Sequence, residues 1–166
     1  MSQTLAAFNA RSPAEAEAGL LSCCASTAFA GEVAARRPYE SLDRLLAAAR
    51  AAVLALGWDD VLEALSAHPR IGERPAGSGR EASWSRREQS GVEDDLRAAL
   101  AEGNRVYEER FGHVYLVCAT GLTGAQMLDR LNERLGNDEA RERDVVRGEL
   151  AAITRLRLGR LIEEGA

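Results

Sequence analysis

Two side chains that can move protons mark an irregular stretch of this sequence, His68 near its start and Glu88 near its end. Residues 66–89 are rich in Gly, Pro, Ser and Arg, whereas the sequence on either side is typical of helix. Long irregular segments are uncommon in small domains unless they have a function, and reactive side chains often lie on loops held by a rigid scaffold. A histidine and a carboxylate in such a loop favour acid–base chemistry.

Each of these two residues also has a purely structural explanation. Pro69 disfavours helical geometry at His68, so the ring would lie where a helix ends, and a protonated imidazole there interacts favourably with the helix dipole. Glu88 follows Ser85 by three residues, which makes it the acidic member of a helix capping box. The residues alone leave the catalytic and the structural roles open, and for Glu88 the two roles are compatible.

Arg157 is the third candidate, because it interrupts an apolar stripe. The last predicted helix repeats apolar residues at helical spacing through Leu150, Ile153 and Leu161, and Arg157 falls on the same side. A buried guanidinium needs an anionic or carbonyl partner. A structural carboxylate would serve, and so would a substrate that carries carboxylate or carbonyl oxygens.

The composition argues against several classes of function. A net charge of -5 over 166 residues argues against nucleic acid as the main partner, since phosphate binding calls for a basic face. No apolar run approaches the roughly 20 residues that a membrane span needs, and the N-terminus lacks the pattern of a signal peptide. We expect a cytoplasmic protein with no membrane partner, folded as a single domain over residues 1–166.

Several reactive groups that enzymes commonly use are missing. The chain has no Lys, which excludes imine chemistry on a lysine. Cys23, Cys24 and Cys118 are odd in number and lack the CxxC spacing, which favours buried thiols over disulfides or a metal site. The sequence also lacks the HExxH motif and any carboxylate cluster suited to a hard cation. We therefore expect a site that works without a metal or an organic cofactor.

The scaffold is predicted to be all-α, a compact bundle of about seven to nine helices. Ala, Leu, Glu and Arg dominate the sequence, and helix-start signals occur at Ser12, Ser41 and Thr123. Residues 113–119 are apolar and β-branched, as in a strand. The sequence offers no convincing second strand to pair with them, so we interpret them as a buried connector between helices.

Several of these residues together resemble the signature of a known family. His68-Pro69-Arg70-Ile71-Gly72, followed by Ser85-x-x-Glu88-Gln89, is similar to the motif of OHCU decarboxylases. Asn104-x-x-Tyr107-x-x-x-Phe111-Gly112 resembles the next block of that family, and the likeness extends over nearly the whole chain. The family decarboxylates 2-oxo-4-hydroxy-4-carboxy-5-ureidoimidazoline (OHCU) on the route from urate to allantoin.

The resemblance implies an all-helical, cofactor-free enzyme that acts on OHCU as a homodimer. It implies that His68 is the catalytic acid and that Glu88 is also catalytic. It further implies a set of substrate contacts: Pro69, Ser85, Arg86, Arg87, Glu88, Gln89, Tyr115, Leu116, Val117, Cys118, Ala119 and Arg157. The alternative is a non-catalytic helical interaction module, in which the stretch around His68 would be a surface loop. The expected distinction is spatial, because an enzyme requires His68, Glu88 and Arg157 to converge on one cavity.

Overall fold

The structure, a computed structural model, describes residues 3–71 and 96–163. The chain order is β1 Gln3–Thr4, α1 Leu5–Ala10, α2 Pro13–Leu21, α3 Thr27–Ala35, α4 Leu42–Leu54, α5 Trp58–Leu65, α6 Arg97–Phe111, α7 Gly124–Arg134, α8 Glu139–Leu161 and β2 Ile162–Glu163. The contacts divide the chain into two compact units. The first unit is residues 1–64 with 150–166, and the second unit is residues 65–149.

Short polar residues set the helix starts of the first unit. The hydroxyl oxygens of Ser12, Ser26 and Ser41 each accept a hydrogen bond from the backbone N–H three residues later, at 3.1–3.2 Å. Such caps satisfy amides that have no partner within the helix. The starts predicted at Ser12 and Ser41 are confirmed. The core of this unit is mostly apolar, and its fully buried side chains include Phe8, Leu20, Phe29 and Leu45, together with Arg157.

Two elements of the first unit were not predicted. Helix α1 has only six residues and is capped by Thr4, whose hydroxyl accepts from the N–H of Ala7 at 3.0 Å. Strands β1 and β2 form a parallel pair of two residues each, with Gln3 opposite Ile162. Elements of this length show no periodicity in the sequence, and pairing between chain positions this far apart leaves no local signal.

The second unit packs α6 and α7 around the connector, which we define as residues 112–123. Gly112 ends α6 in the left-handed region at φ 81°, a conformation that favours glycine. Thr123 starts α7 with a full capping box, because Thr123 and Gln126 bind each other's backbone N–H. The connector makes no strand pairing within the described ranges, so its interpretation as a buried link between helices is confirmed.

An apolar cluster forms the core of the second unit and brings α6 close to α7. It contains Ile71, Leu100, Tyr107, Tyr115, Val117, Ala119, Met127 and Leu131. A Cβ atom placed on Gly103 would lie 3.1 Å from a methyl carbon of Leu131, closer than almost all real contacts. The missing side chain at position 103 therefore lets α7 approach α6 closely.

The all-α prediction is confirmed, with eight helices among the described residues. Helix α2 ends at Leu21, and helix α5 begins at Trp58. No helix in the described part of the chain is long and apolar enough to span a bilayer. The prediction of one domain over residues 1–166 stays a prediction.

Candidate active site

His68 lies in the turn that follows α5, where the sequence predicted a helix exit. Its backbone N–H donates to the carbonyl of Leu65 at 3.0 Å, which closes the last turn of the helix. The side chains of His68 and Pro69 are partly buried, Arg70 is exposed, and Ile71 is buried in the apolar cluster. We refer to residues 68–71 as the His68 segment.

Two residues of α6 bind the His68 segment from one helix face. The side-chain amide of Asn104 donates to the carbonyl of Ile71 at 2.9 Å, in a buried setting. The carboxylate of Glu108 accepts two hydrogen bonds from the Arg70 guanidinium, at 2.7 and 2.9 Å. Asn104 and Glu108 are four residues apart, so they lie on the same face. The segment is thus tied to a helix at two successive residues.

The connector is the second candidate segment, since four of its five predicted contact residues are buried. These are Tyr115, Leu116, Val117 and Ala119, while Cys118 is partly exposed. The Arg134 guanidinium donates to the carbonyl of Leu116, and Glu149 accepts from the N–H of Cys118 at 3.3 Å. The Tyr115 hydroxyl donates to the carbonyl of Met127 at 2.9 Å. Side chains of α7 and α8 therefore fix this stretch of backbone.

A buried ion pair provides the arginine that binds Leu116. Glu142, fully buried, accepts from Arg134 at 2.6 and 2.8 Å and also from the Tyr107 hydroxyl. Asn137 donates to the other carboxylate oxygen at 3.0 Å. Buried charges are stable only when paired and hydrogen-bonded, and here both oxygens of the carboxylate have partners. We call Tyr107, Arg134, Asn137 and Glu142 the buried polar cluster.

The environment keeps the side chains of Tyr107, Arg134 and Tyr115 in their protonated, hydrogen-bond-donating forms. Burial raises the pKa of Tyr107, and the hydrogen bond to Glu142 raises it further, so the phenol stays protonated. Burial lowers the pKa of Arg134, but its hydrogen bonds and attraction to Glu142 outweigh that effect, and the net pKa is raised. Burial also raises the pKa of Tyr115, whose ring lies 4.8 Å from the Arg134 guanidinium.

Some peptide groups of the connector are left for other partners. Within the described ranges, the N–H of Leu116 and both the N–H and C=O of Val117 make no hydrogen bond. Buried peptide groups are nearly always paired. A fixed backbone with such donors and acceptors suits a small ligand rich in N–H and C=O groups, as in a cyclic ureide.

A cavity of about 630 Å³ opens beside the His68 segment. Its lining includes Arg70, Arg105, Glu108 and Glu109, and the two arginines pair with those carboxylates. The size is within the range of ligand pockets, but these cations are already neutralised. We therefore assign no substrate to this cavity.

Arg157 is fully buried, as its place on the apolar stripe predicted. It belongs to the first unit, whereas His68 and the connector belong to the second. Residues 85–89, with Ser85, Arg86, Arg87, Glu88 and Gln89, lie outside the described residues. The convergence of His68, Glu88 and Arg157 stays a prediction. Among the side chains that the structure describes, no group of three His, Cys, Asp or Glu residues could hold a metal ion.

The buried polar cluster and Asn104 were not predicted as parts of the site. Arg134 follows the buried residues Met127 and Leu131 at helical spacing, so it occupies an apolar stripe in the same way as Arg157. That signal was available in the sequence for Arg134. Asn104 gave the same signal, because it lies between Leu100 and Tyr107 on the buried face of its helix, but nothing in the sequence identified its partner Ile71, 33 residues away.

Comparison with known proteins gives a consistent result. The sequence model of the family described as OHCU decarboxylase matches residues 9–159. The chain is 34% identical over 151 residues to the uric acid degradation bifunctional protein TTL of Arabidopsis thaliana, covering 87% of this chain and 46% of that protein. It is 37% identical over 101 residues to a 2-oxo-4-hydroxy-4-carboxy-5-ureidoimidazoline decarboxylase of Amia calva, covering 58% of each. The chain thus spans about half the length of these curated relatives.

Two crystal structures have a similar fold. One is an OHCU decarboxylase in the presence of (S)-allantoin, with a TM-score of 0.72 and 31% identity, covering 84% of this chain and 94% of that one. The other is an (S)-allantoin synthase, also with a TM-score of 0.72, at 20% identity and covering 96% of this chain and 54% of that one. At that lower identity, the second likeness supports the fold alone.

Proposed function

The chain belongs to the OHCU decarboxylase family, and we propose that it converts 2-oxo-4-hydroxy-4-carboxy-5-ureidoimidazoline to (S)-allantoin and CO₂ in the breakdown of urate. The names of the relatives from Arabidopsis thaliana and Amia calva support this substrate and pathway. The similar crystal structure determined in the presence of (S)-allantoin supports the product.

The observation that carries the proposal is that α6 helps to fix both candidate segments. Asn104 and Glu108 bind the His68 segment directly. Tyr107 binds the Glu142 carboxylate, which in turn holds the arginine bound to Leu116. Catalysis of proton transfer requires a donor and a substrate-binding surface in fixed positions. One rigid element that reaches both is the arrangement an enzyme of this kind needs.

The reaction can proceed without a cofactor as electron acceptor, because the C=N bond of the substrate ring can accept the electrons. The bond between the ring carbon and the carboxylate breaks and CO₂ leaves, while the electron pair forms a double bond to the neighbouring ureido-bearing carbon. The electrons of the adjacent C=N bond move to nitrogen, which takes up a proton. The resulting enol loses its hydroxyl proton as the ureido-bearing carbon gains one. The net change is the uptake of one proton and the release of one CO₂.

We assign the carbon protonation to His68, because the imidazole exchanges protons near neutral pH and delivery to one face produces a single enantiomer. Glu88 would accept the hydroxyl proton, although its position lies outside the described residues. Arg157 would bind the oxygens of the substrate. Pro69, residues 85–89 and residues 115–119 would surround the ring and the ureido group.

A substitution of His68 tests the assignment. His68→Asn removes the proton donor, and general acid catalysis contributes about 10²–10⁴-fold, so kcat should fall by that factor with little change in stability. The measurement follows the circular dichroism of allantoin formed from freshly generated substrate. A wild-type protein that forms no optically active product would instead favour a non-catalytic interaction module. Retention of stereospecific product by the variant would remove His68 from the mechanism.

Three further properties belong to the same proposal. We expect a cofactor-free enzyme, a homodimer and a cytoplasmic location, as the family resemblance implies, acting as one domain because the family match runs through both units. Full activity after exhaustive treatment with a chelator would support the first property. A mass twice that of one chain in light scattering would support the second.

A further inference from the structure

Asn104 lies at the far end of the His68 segment from α5, and its amide binds the last carbonyl of that segment. We propose that Asn104 is a positioning residue that sets where the His68 imidazole stands when it delivers its proton. This inference rests on the proposed function, since it assumes that His68 protonates the substrate. It assigns to Asn104 a role that acts through the backbone of the His68 segment, although Asn104 also lines the cavity beside that segment.

The segment is short and is fixed at both ends. At one end the N–H of His68 binds the carbonyl of Leu65, and at the other end the carbonyl of Ile71 accepts from Asn104. Between them Pro69 has a fixed φ, so few backbone torsions remain free. The side chain of Ile71 is anchored in the apolar cluster. Loss of the hydrogen bond at Ile71 would therefore free the backbone three residues after His68, the proposed proton donor.

The chemistry of Asn104 argues against a role in stability alone. Only 2% of Asn104 is exposed, and its side-chain oxygen makes no hydrogen bond within the described ranges. An unsatisfied buried acceptor is destabilising. A leucine has the same number and branching of side-chain heavy atoms, carries no such oxygen and would suit the nearby apolar cluster. The amide is explained by what its nitrogen does, which is to hold the carbonyl of Ile71.

The second contact of α6 with the segment is weaker. The Arg70 side chain is 47% exposed and that of Glu108 is 24% exposed. Ion pairs in contact with water contribute little and are screened by salt. The buried bond from Asn104 is therefore the one that determines the position of the segment.

Misplacement of the imidazole has a specific chemical consequence. A shift of about 1 Å in a catalytic group can lower the rate by roughly 100-fold. Water would then compete with His68 to protonate the ureido-bearing carbon, and water can donate a proton to either face. A mispositioned His68 thus produces less of one enantiomer, whereas a merely unstable protein produces less product of unchanged chirality.

The experiment compares Asn104→Leu with Val53→Ala. Val53 is fully buried in α4, in the unit that does not contain the His68 segment, so its truncation lowers stability without changing the bond to Ile71. We expect Asn104→Leu to lower kcat by about 10- to 100-fold with a small change in KM. The enantiomeric excess of the allantoin that this variant forms should also fall. It is measured at increasing enzyme concentrations and extrapolated to the point where the uncatalysed reaction is negligible. Val53→Ala should keep the chirality and the rate per folded molecule.

A structural readout separates this inference from the proposed function. The chain has only two histidines, so the ring signals of His68 can be distinguished from those of His113 by nuclear magnetic resonance. We expect Asn104→Leu to shift the His68 signals and Val53→Ala to leave them in place. Unchanged His68 signals, rate and chirality in a folded Asn104→Leu protein would overturn the inference. If His68→Asn also left the chirality intact, the assignment of carbon protonation to His68 would fail, whereas the proposed function fails only if the wild-type protein forms no optically active product.

Discussion

The connector and the His68 segment are held by interactions that differ in charge and in exposure to water. The connector depends on a buried ion pair, Arg134 with Glu142, in which both charges are almost inaccessible to water. The His68 segment depends on a neutral amide and on a partly exposed ion pair. Buried charges strongly resist the loss of a partner, whereas an amide or an exposed pair can be lost at moderate cost. The connector, which we propose as the surface for the ligand, is thus fixed more firmly than the segment that contains His68, the proposed proton donor.

Both proposed roles need fixed positions. The His68 segment has the weaker contacts, so the loss of one contact there should affect catalysis more than stability. Variants that remove one contact from each region should separate the two behaviours.

The largest effect is expected in the buried polar cluster. Arg134→Met leaves Glu142 buried without its cation and removes the donor to Leu116. The free energy of unfolding should fall by about 3–5 kcal/mol, measured by urea denaturation. The double variant with Glu142→Leu should lose less than Arg134→Met alone, because no unpaired charge remains. A loss in the double variant as large as the sum of the single losses would show that the pair is not coupled.

The next effect concerns alkaline pH. Burial raises the pKa of all three tyrosines, Tyr39, Tyr107 and Tyr115, above the ordinary value of 10.0. The folded protein therefore keeps protons that the unfolded chain releases, and stability present below pH 10 is lost as the pH rises above it. Each tyrosine should add about 1.4 kcal/mol per pH unit to this slope.

Urea denaturation at several pH values above 10 measures the slope. Tyr107→Phe combined with Tyr115→Phe should remove most of it, because burial raises the pKa of these two tyrosines more than that of Tyr39 in the first unit. Tyr39→Phe should remove a smaller part. An unchanged slope in the Tyr107 and Tyr115 double variant would place the alkaline sensitivity outside the region of the connector.

The smallest effect is expected at the exposed contact of the His68 segment. Glu108→Gln removes the charge that faces Arg70 and should lower the free energy of unfolding by about 0.2–1 kcal/mol, less at high salt. Glu102→Gln is the matched control, since Glu102 pairs with Arg105 on the same helix and away from the segment. Activity should change less than in Asn104→Leu. A greater loss of activity in Glu108→Gln would assign the main positioning role to the ion pair.

The sequence predicted the features of the fold that depend on residues close together in the chain. Helix starts at Ser12, Ser41 and Thr123 follow from a hydroxyl that binds an amide three residues away. The burial of Arg157 follows from the spacing of its own helix. Such features depend on residues within a single helix, so the local sequence and its periodicity are enough to predict them.

The contacts that hold the candidate site join residues far apart in the sequence. Asn104 reaches Ile71 across 33 positions, and Tyr107 reaches Glu142 across 35. Neither pair has a pattern that a single sequence can reveal, because any buried carbonyl or carboxylate would serve as a partner. The family resemblance implied that His68 is catalytic and that residues 115–119 contact the substrate, but it gave no account of what fixes them.

Gly103 has a consequence for attempts to make this protein more heat-resistant. Replacing a helical glycine by alanine is a standard route to a higher Tm, since it usually adds about 0.4–1 kcal/mol. Here the new methyl group would lie 3.1 Å from a methyl carbon of Leu131, and that side chain would have to shift where the two helices are in contact. Asn104 is the next residue along α6, beside this contact. A thermostable design should therefore leave this glycine unchanged.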